Sequence, residues 1–166
     1  GFASQNVSGQ LSDFDDFITD VSFQNEIVES LALWENSADI RFTLASNSQD
    51  ADIRFGWRDI DGPGGVLGAT TIPSVGGLQD VIVAFDIGEN WFLGGDSPIS
   101  MVDFSSTAAH EIGHAIGIDH SALPDTLMNA SYSTTIFDLQ QDDVDAAVAI
   151  YGENDVVKIG VYRFFN

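Results

Sequence analysis

All three histidines of the chain lie within the stretch 110–120, where their spacing predicts a metal site. His110 and His114 are four residues apart, so on a helix both rings project from nearly the same face and can reach one Zn²⁺ at ~2.0–2.1 Å. Gly117 accepts the left-handed conformation that ends a helix, and the reversal lets His120 return as the third ligand. Three protein ligands leave a fourth position for water, as in catalytic zinc sites. The alternative is three histidines satisfied in a core or on a surface helix.

Glu111 directly follows the first of these ligands and supplies a carboxylate. On a helix it is rotated ~100° from His110, so we expect it to flank the metal rather than to bind it. From there it can act as a general base that takes a proton from a zinc-activated water. The pattern therefore predicts a catalytic zinc site.

Composition limits the other functions that the chain can have. The 166 residues are 44% hydrophobic and 19% charged, as expected of one folded domain. No window approaches the ~18 uninterrupted apolar residues of a membrane helix, so no membrane span is expected. A formal net charge of −21 repels phosphates and argues against a nucleic-acid partner. The acidic residues bind Ca²⁺, keep the protein soluble in salty water or form a solvated face, and these three explanations stay open.

The elements that must hold the site follow from hydrophobic periodicity. Helical spacing of apolar residues predicts helices over about 21–36, 100–117 and 139–151. Alternating or continuous apolar runs predict strands at 40–44, 53–55, 66–72 and 81–85. We expect the third of these strands at an edge of the sheet and the fourth in its centre. The order of elements predicts an α+β fold.

The stretch from His110 to His120 resembles the zinc motif of the metzincin metallopeptidases, which are zinc endopeptidases. That clan has a methionine turn below the zinc, and Met128 stands at a suitable distance for it, although an ordinary core methionine is the alternative. Ser121 after the third histidine, and Tyr132 four residues after Met128, favour the matrixin family within the clan. The resemblance covers most of residues 21–152.

This resemblance implies the metzincin fold, with a mixed twisted sheet and two long helices in an N-terminal subdomain. A smaller C-terminal subdomain carries the Met-turn and a final helix. We therefore expect one catalytic domain over 1–152, with an upper subdomain of about 1–117 and a lower one of about 118–152. We expect residues 153–166 to be a C-terminal tail or the start of a missing module.

A second resemblance to matrixins concerns calcium. The loop that begins at Asp61 resembles the one that wraps a structural Ca²⁺, and the segment around Asp86 and Glu89 resembles the stretch that completes that site. Carboxylates and backbone carbonyls are the oxygen ligands that Ca²⁺ prefers. The resemblance implies these ligands: Asp61, Gly62, Gly64, Val66, Asp86 and Glu89. The alternative is a glycine turn beside an acidic strand end.

The chain departs from vertebrate matrixins where those proteins hold a second, structural zinc with histidines. The corresponding positions here are Ala69 and Ala84. The histidines all lie in the catalytic motif, so no structural second zinc is predicted.

The resemblance also implies how substrate binds. The edge strand around Leu67, Gly68 and Ala69 would pair antiparallel with an extended polypeptide, so that main-chain bonds supply affinity and pockets supply specificity. Residues 130–137 would line the pocket for the residue after the cut, with Tyr132 as a wall, and a hydrophobic residue is expected there.

The expected function is a secreted, monomeric, Ca²⁺-stabilised zinc endopeptidase with one catalytic zinc. One alternative is a metzincin-like zinc module that binds a partner without cleaving it, although an intact Glu111 argues against a silent site. Another is a serralysin-type protease cut from a larger chain. The residues Ser121 and Tyr132 disfavour that second alternative.

Overall fold

The computed structural model describes residues 14–47, 50–71, 78, 80–94, 100–154 and 159–164. In these residues the helices are α1 (Val21–Ser37), α2 (Phe104–Ala115) and α3 (Gln141–Tyr151). The strands are β1 (Arg41–Leu44), β2 (Ile53–Arg58), β3 (Gly68–Thr70), β4 (Val81–Asp86), β5 (Trp91–Phe92), β6 (Val102–Asp103) and β7 (Ile159–Phe164). Among the described helices, none is long and apolar enough to cross a membrane.

The main sheet is mixed and has the strand order β1-β7-β2-β4-β3. Strands β1, β7, β2 and β4 run parallel, and β3 pairs antiparallel with β4 at one edge. All six residues of β4 are buried, as expected of an interior strand. The predicted α+β fold, with helices against a mixed sheet, is confirmed, and so is the edge position of β3.

Helix α1 packs along α2 and fixes the position of that helix. It begins after Asp20, whose carboxylate accepts a hydrogen bond from the Ser22 N–H and so caps the first turn. Its buried face includes Leu31 and Trp34. The Trp34 indole N–H donates to the Ala109 carbonyl at 2.9 Å, directly before the histidine stretch. This buried bond ties the two helices together at the level of the candidate site.

Strand β7 lies between β1 and β2, although it comes from residues for which the sequence suggested a tail or the start of a module. It runs parallel to both neighbours, with Arg41 opposite Ile159 and Ile53 opposite Tyr162. The Ala45 N–H also donates to the Tyr162 carbonyl. The continuity of the sheet between β1 and β2 therefore depends on this strand.

The chain reverses sharply where α2 ends. Gly117 has φ +94°, a left-handed conformation that glycine adopts without a Cβ penalty. The Gly117 N–H donates to the His114 carbonyl and the Ile118 N–H donates to the Gly113 carbonyl, which satisfies the last turn of the helix. This reversal turns the following residues back towards the face of α2 that carries the histidines.

Candidate metal centre

The three histidines meet at one point beside α2. His110 and His114 project from the buried face of the helix, and His120 approaches from the segment after the Gly117 reversal. The Nε2 atom of His120 lies 3.1 Å from Nε2 of His110 and 3.1 Å from Nε2 of His114. In the described part of the chain, these rings form the one group of three or more potential metal ligands whose donor atoms all lie within 4.8 Å of one another.

Backbone carbonyls orient the two helical rings. The Nδ1 atom of His110 lies 2.7 Å from the Leu127 carbonyl oxygen, and Nδ1 of His114 lies 2.8 Å from the Ile118 carbonyl oxygen. A carbonyl can only accept, so each Nδ1 donates, and in the neutral ring Nε2 then carries a lone pair. Tetrahedral ligands at ~2.0–2.1 Å from zinc are separated by about 3.3 Å. The Nε2 separations are close to this value, so the donor set fits a zinc ion.

The electrostatics of the rings favour the neutral form that binds metal. Burial lowers the pKa of His114 to about 4 and places the pKa of His110 well below its ordinary value. Burial also lowers the pKa of His120, against the opposing charge of Asp119. A metal must displace any ring proton, so rings that are already neutral bind it at less cost.

Glu111 lies beside this cluster without belonging to it. Its side chain is 1% exposed, and Oε2 accepts a 2.6 Å hydrogen bond from the Thr70 hydroxyl on β3. Burial raises the pKa of Glu111 to about 7, and the hydrogen bond from Thr70 acts in the opposite direction. A carboxyl group with a pKa near neutrality can both take up and release a proton.

Met128 and a buried aspartate support the histidines from below. A Cβ atom built on Gly113 would lie 2.4 Å from the Met128 sulfur, so the absence of a side chain at Gly113 lets the methionine pack against the helix between His110 and His114. Asp143 on α3 accepts hydrogen bonds from the N–H groups of Leu127 and Met128 at 2.9 and 3.0 Å. The Leu127 carbonyl orients His110, so Leu127 links the Asp143 carboxylate to the His110 ring. Sequence reasoning did not single out Asp143.

The candidate calcium loop is folded against the end of β4. The buried carboxylate of Asp86 accepts hydrogen bonds from the Gly62 N–H at 2.9 Å and the Gly88 N–H at 2.8 Å. The Glu89 carboxylate accepts from the Gly64 N–H at 2.7 Å. The structure therefore places Asp86 and Glu89 at the loop, as the resemblance implied.

The third predicted carboxylate ligand faces its own loop. Asp61 accepts a 2.8 Å hydrogen bond from the Val66 N–H. Its oxygens would lie 2.3–2.4 Å from a Cβ built on Gly65, so the carboxylate fills the space beneath that glycine. Asp61, Asp86 and Glu89 do not form a carboxylate cluster of the kind that the histidines form within 4.8 Å.

The predicted substrate-binding residues fall into two places. Leu67 is buried, its carbonyl accepts from the Asp86 N–H, and the chain then continues through Gly68 and Ala69 into the edge strand. Tyr132 is half-buried and its hydroxyl accepts from the Asp103 N–H at 2.9 Å. A small cleft at Tyr132 is lined by Ser106, Thr126, Leu127, Ser131, Ser133 and Ile136. Several of these lining residues carry hydroxyl groups, whereas the sequence predicted a pocket for a hydrophobic substrate residue.

The two alanines at the predicted positions of the structural-zinc histidines are direct partners across β3 and β4. Ala69 and Ala84 are both buried and form a small apolar cluster with Ile82, against which Phe14 and Ile60 pack. In this chain, hydrophobic packing fills that face of the sheet.

Comparison with known proteins covers nearly the whole chain. The family model described as matrixin, of peptidase family M10, matches residues 2–152. Karilysin from Tannerella forsythia is 33% identical over 144 residues, which are 81% of this chain and 30% of karilysin. Neutrophil collagenase from Homo sapiens is 30% identical over 157 residues, 89% of this chain and 32% of the collagenase. Metalloendoproteinase 1 from Glycine max is 32% identical over 149 residues, 81% of this chain and 47% of the relative. The chain thus spans less than half the length of these relatives.

Proposed function

The chain belongs to the matrixin family, and from this premise we propose that it is a zinc-dependent endopeptidase. The observation that carries the proposal is the convergence of three histidine Nε2 atoms beside a buried glutamate. A cation accounts for this convergence, because the Nε2 lone pairs of His110 and His114 point at one place, where they repel each other unless a positive charge or a donor lies between them. The proposed ligands are His110, His114 and His120.

The residues of the chain have distinct roles in this proposal. Zinc, when bound, supplies Lewis-acid chemistry that polarises a carbonyl and lowers the pKa of water. Glu111 accepts the proton of the attacking water on its carboxylate and donates it to the nitrogen of the scissile bond as that bond breaks. The Leu127 carbonyl orients the His110 ring, and Met128 packs against α2 at Gly113. The low exposure of Glu111 keeps bulk water away from the proton that it carries.

The substrate in this proposal is an extended polypeptide bound along β3. This strand forms an edge of the described sheet, where it pairs with β4. An added strand gains main-chain hydrogen bonds there, which give affinity without much dependence on sequence. Leu67, Gly68 and Ala69 would supply these bonds, and Tyr132 would bound the pocket for the residue after the cut.

We also propose that Ca²⁺ stabilises the loop between Asp61 and Val66. Support comes from the folding of this loop onto the carboxylates of Asp86 and Glu89, whose remaining lone pairs can join the Gly62, Gly64 and Val66 carbonyls in an oxygen site. Sites of this kind in extracellular proteins bind Ca²⁺ at roughly 10⁻⁴–10⁻³ M, which fits secretion, the localisation that we propose. We propose that the protein is a monomer. We also propose that it has no second zinc, because the apolar cluster at Ala69 and Ala84 packs the face of the sheet where vertebrate matrixins hold one.

The test compares cleavage of an unfolded protein substrate by the wild type and by Glu111→Gln, both loaded with zinc in the presence of Ca²⁺. Glu29→Gln, an exposed change of the same kind on α1, is the matched control. We expect the wild type and the control to cut, and Glu111→Gln to lose ~10²-fold or more of the rate while it keeps its zinc.

The alternative of a silent binding module makes a different prediction. A zinc-loaded wild type that cuts none of a panel of unfolded proteins, and behaves like Glu111→Gln, would contradict the endopeptidase proposal. The zinc content of both proteins must be measured, because loss of zinc would give the same inactivity for another reason.

A further inference from the structure

One face of β3 forms a close-fitting support for the Glu111 carboxylate. Gly68 and Thr70 are two residues apart on the strand, so they face the same side of the sheet. The Thr70 hydroxyl donates to Glu111 Oε2 at 2.6 Å, and it also lies 3.2 Å from the Glu111 carbonyl oxygen. A Cβ atom built on Gly68 would lie 2.9 Å from both Cγ and Oε1 of Glu111. The carboxylate thus occupies the space that a side chain at position 68 would need.

We propose that Gly68 and Thr70 are positioning residues, which hold the general base in the one orientation that the reaction uses. The hydrogen bond from Thr70 makes Oε2 the less basic of the two oxygens, so Oε1, on the side of Gly68, is the oxygen that takes the proton. This inference rests on the proposed function. If it holds, strand β3 both binds the substrate and aligns the general base.

The arrangement is rigid because each of its parts is fixed independently. Pairing with β4 fixes the backbone of β3, with Gly68 opposite Phe85 and Thr70 opposite Val83. Threonine is β-branched, so its χ1 has few alternatives and its hydroxyl stays in place. A hydroxyl-to-carboxylate hydrogen bond of 2.6 Å is in the range of the stronger, charge-assisted bonds. Glutamate has three flexible torsions, so a base without this support would sample several orientations.

The proton inventory is consistent with this role. Thr70 has one hydroxyl hydrogen, which it donates to Oε2 before, during and after the reaction. Glu111 gains a proton on Oε1 from water and loses it to the leaving nitrogen, so no step requires Thr70 to release its own proton. Thr70 therefore acts through Glu111 and does not itself react.

A purely structural role for Thr70 is the competing explanation, because its hydroxyl also lies near the Glu111 carbonyl and could simply link β3 to α2. The two explanations differ in what a variant changes. Loss of a structural link lowers stability and weakens zinc binding and substrate binding together. Loss of positioning lowers kcat while KM and zinc affinity stay constant.

The test uses Thr70→Val, which keeps the shape and removes the hydroxyl, together with Thr70→Ser, which restores it. Thr71→Val is the matched control, because the neighbouring hydroxyl accepts from the Ile82 N–H and does not contact Glu111. We measure kcat, KM, zinc affinity by competition with a chromogenic chelator, and the thermal midpoint. We expect Thr70→Val to lose roughly tenfold or more in kcat, with KM and zinc affinity within about twofold of the wild type. Thr70→Ser should recover most of the loss, and Thr71→Val should lower the midpoint while keeping kcat within about twofold.

Equal kcat in Thr70→Val and wild type would overturn the inference, as would equal losses in the two valine variants or no recovery in Thr70→Ser. Crystal structures of the wild type and Thr70→Val give a readout that needs no activity. We expect one orientation of the Glu111 carboxylate in the wild type and more than one in the variant. An unchanged, single orientation in the variant would contradict the positioning role even if the protein proved inactive, whereas inactivity of the wild type by itself would count against the proposed function only.

Discussion

The two candidate metal regions differ in what their ligand side chains contact. In the histidine region, His110 and His114 donate from Nδ1 to backbone carbonyls, which directs their Nε2 atoms towards the same point, beside Nε2 of His120. In the loop region, Asp86 and Glu89 accept hydrogen bonds from the backbone N–H groups of the loop. The first region is therefore arranged for a cation before one binds. In the second region, hydrogen bonds to Asp86 and Glu89 already hold the loop, so a cation that binds there adds to existing interactions.

This difference predicts separate consequences for the removal of each metal, which is the largest effect that we expect. Chelation of zinc should lower kcat/KM by ~10³-fold or more, because the Lewis acid is lost, while the thermal midpoint changes little in a preorganised site. Removal of Ca²⁺ in zinc-buffered solution should lower the midpoint and change kcat/KM by less than about tenfold. Peptide hydrolysis and thermal unfolding, measured on the same samples, check both. If removal of zinc alone unfolded the protein, the histidine region would not be arranged before the metal binds.

Asp143→Ala should give the next largest effect, a loss of stability and of zinc affinity, because Asp143 supports the segment that orients His110. This buried carboxylate accepts from the N–H groups of Leu127, Met128 and Gln140, and the variant leaves all three without that acceptor. We expect a loss of about 3 kcal/mol or more in the free energy of unfolding, together with weaker zinc binding through Leu127 and His110. Urea denaturation and chelator competition measure these quantities.

Asp142→Ala is the control for that variant, since its carboxylate is exposed and accepts from the Ser121 hydroxyl. It should cost less than about 1 kcal/mol. Equal costs for the two variants would show that Asp143 has no special role beneath the metal centre.

Asp86→Ala tests the loop region in the same way. The variant removes an acceptor of the Gly62 and Gly88 N–H groups, and we expect a loss of about 2 kcal/mol in stability and most of the stabilisation by Ca²⁺. Zinc affinity should stay within about twofold, because the carbonyls that orient the histidine rings belong to Leu127 and Ile118, which lie outside this loop. The exposed Asp59→Ala is the control. If Asp86→Ala weakened zinc binding as much as Asp143→Ala does, the two regions would not be independent.

The dependence of stability on pH in the zinc-free protein is the smallest expected effect, because contributions of opposite sign partly offset one another. The pKa values of all three histidines fall on folding, that of His114 from 6.5 to about 4, so the unfolded state binds more protons and stability declines as the pH drops below 6.5. The pKa of Glu111 rises from 4.5 to about 7, so the folded state binds more protons and stability declines as the pH rises from 4.5 towards 7. Glu111→Gln removes the second contribution. Between pH 4.5 and 6.5 its stability should therefore rise with pH more steeply than that of the wild type, as measured by urea denaturation. A shallower dependence of stability on pH in Glu111→Gln than in the wild type would contradict the raised pKa of Glu111 and the burial that causes it.

Local patterns predicted the histidine region more completely than the parts that support it. The i, i+4 histidines and the following glycine depend on helix geometry alone, so the sequence indicated both α2 and the reversal at Gly117. The bond from Thr70 to Glu111 joins residues 41 apart in sequence, and no periodicity shows which side chain will lie opposite a buried glutamate. Asp143 was missed for the same reason, because its role comes from the packing of α3 against the Met128 segment.

Strand β7 shows a related limit of sequence patterns. The run from Ile159 to Phe164 contains β-branched and aromatic residues, which is typical of a strand. Its position between β1 and β2 depends on pairing across more than 100 residues of chain, which local patterns do not indicate. The candidate calcium loop is an intermediate case, since its glycines indicated a turn but not which N–H groups the carboxylates contact.

The coordination of zinc in the purified protein shows whether His110, His114 and His120 bind the metal. Metal analysis and X-ray absorption at the zinc edge would be measured on the wild type and on His114→Ala. We expect one zinc per chain with three nitrogen ligands at ~2.0–2.1 Å in the wild type, and a loss of zinc affinity by ~10²-fold or more in the variant. Zinc bound mainly through carboxylate oxygens, or held as tightly in His114→Ala as in the wild type, would contradict the account.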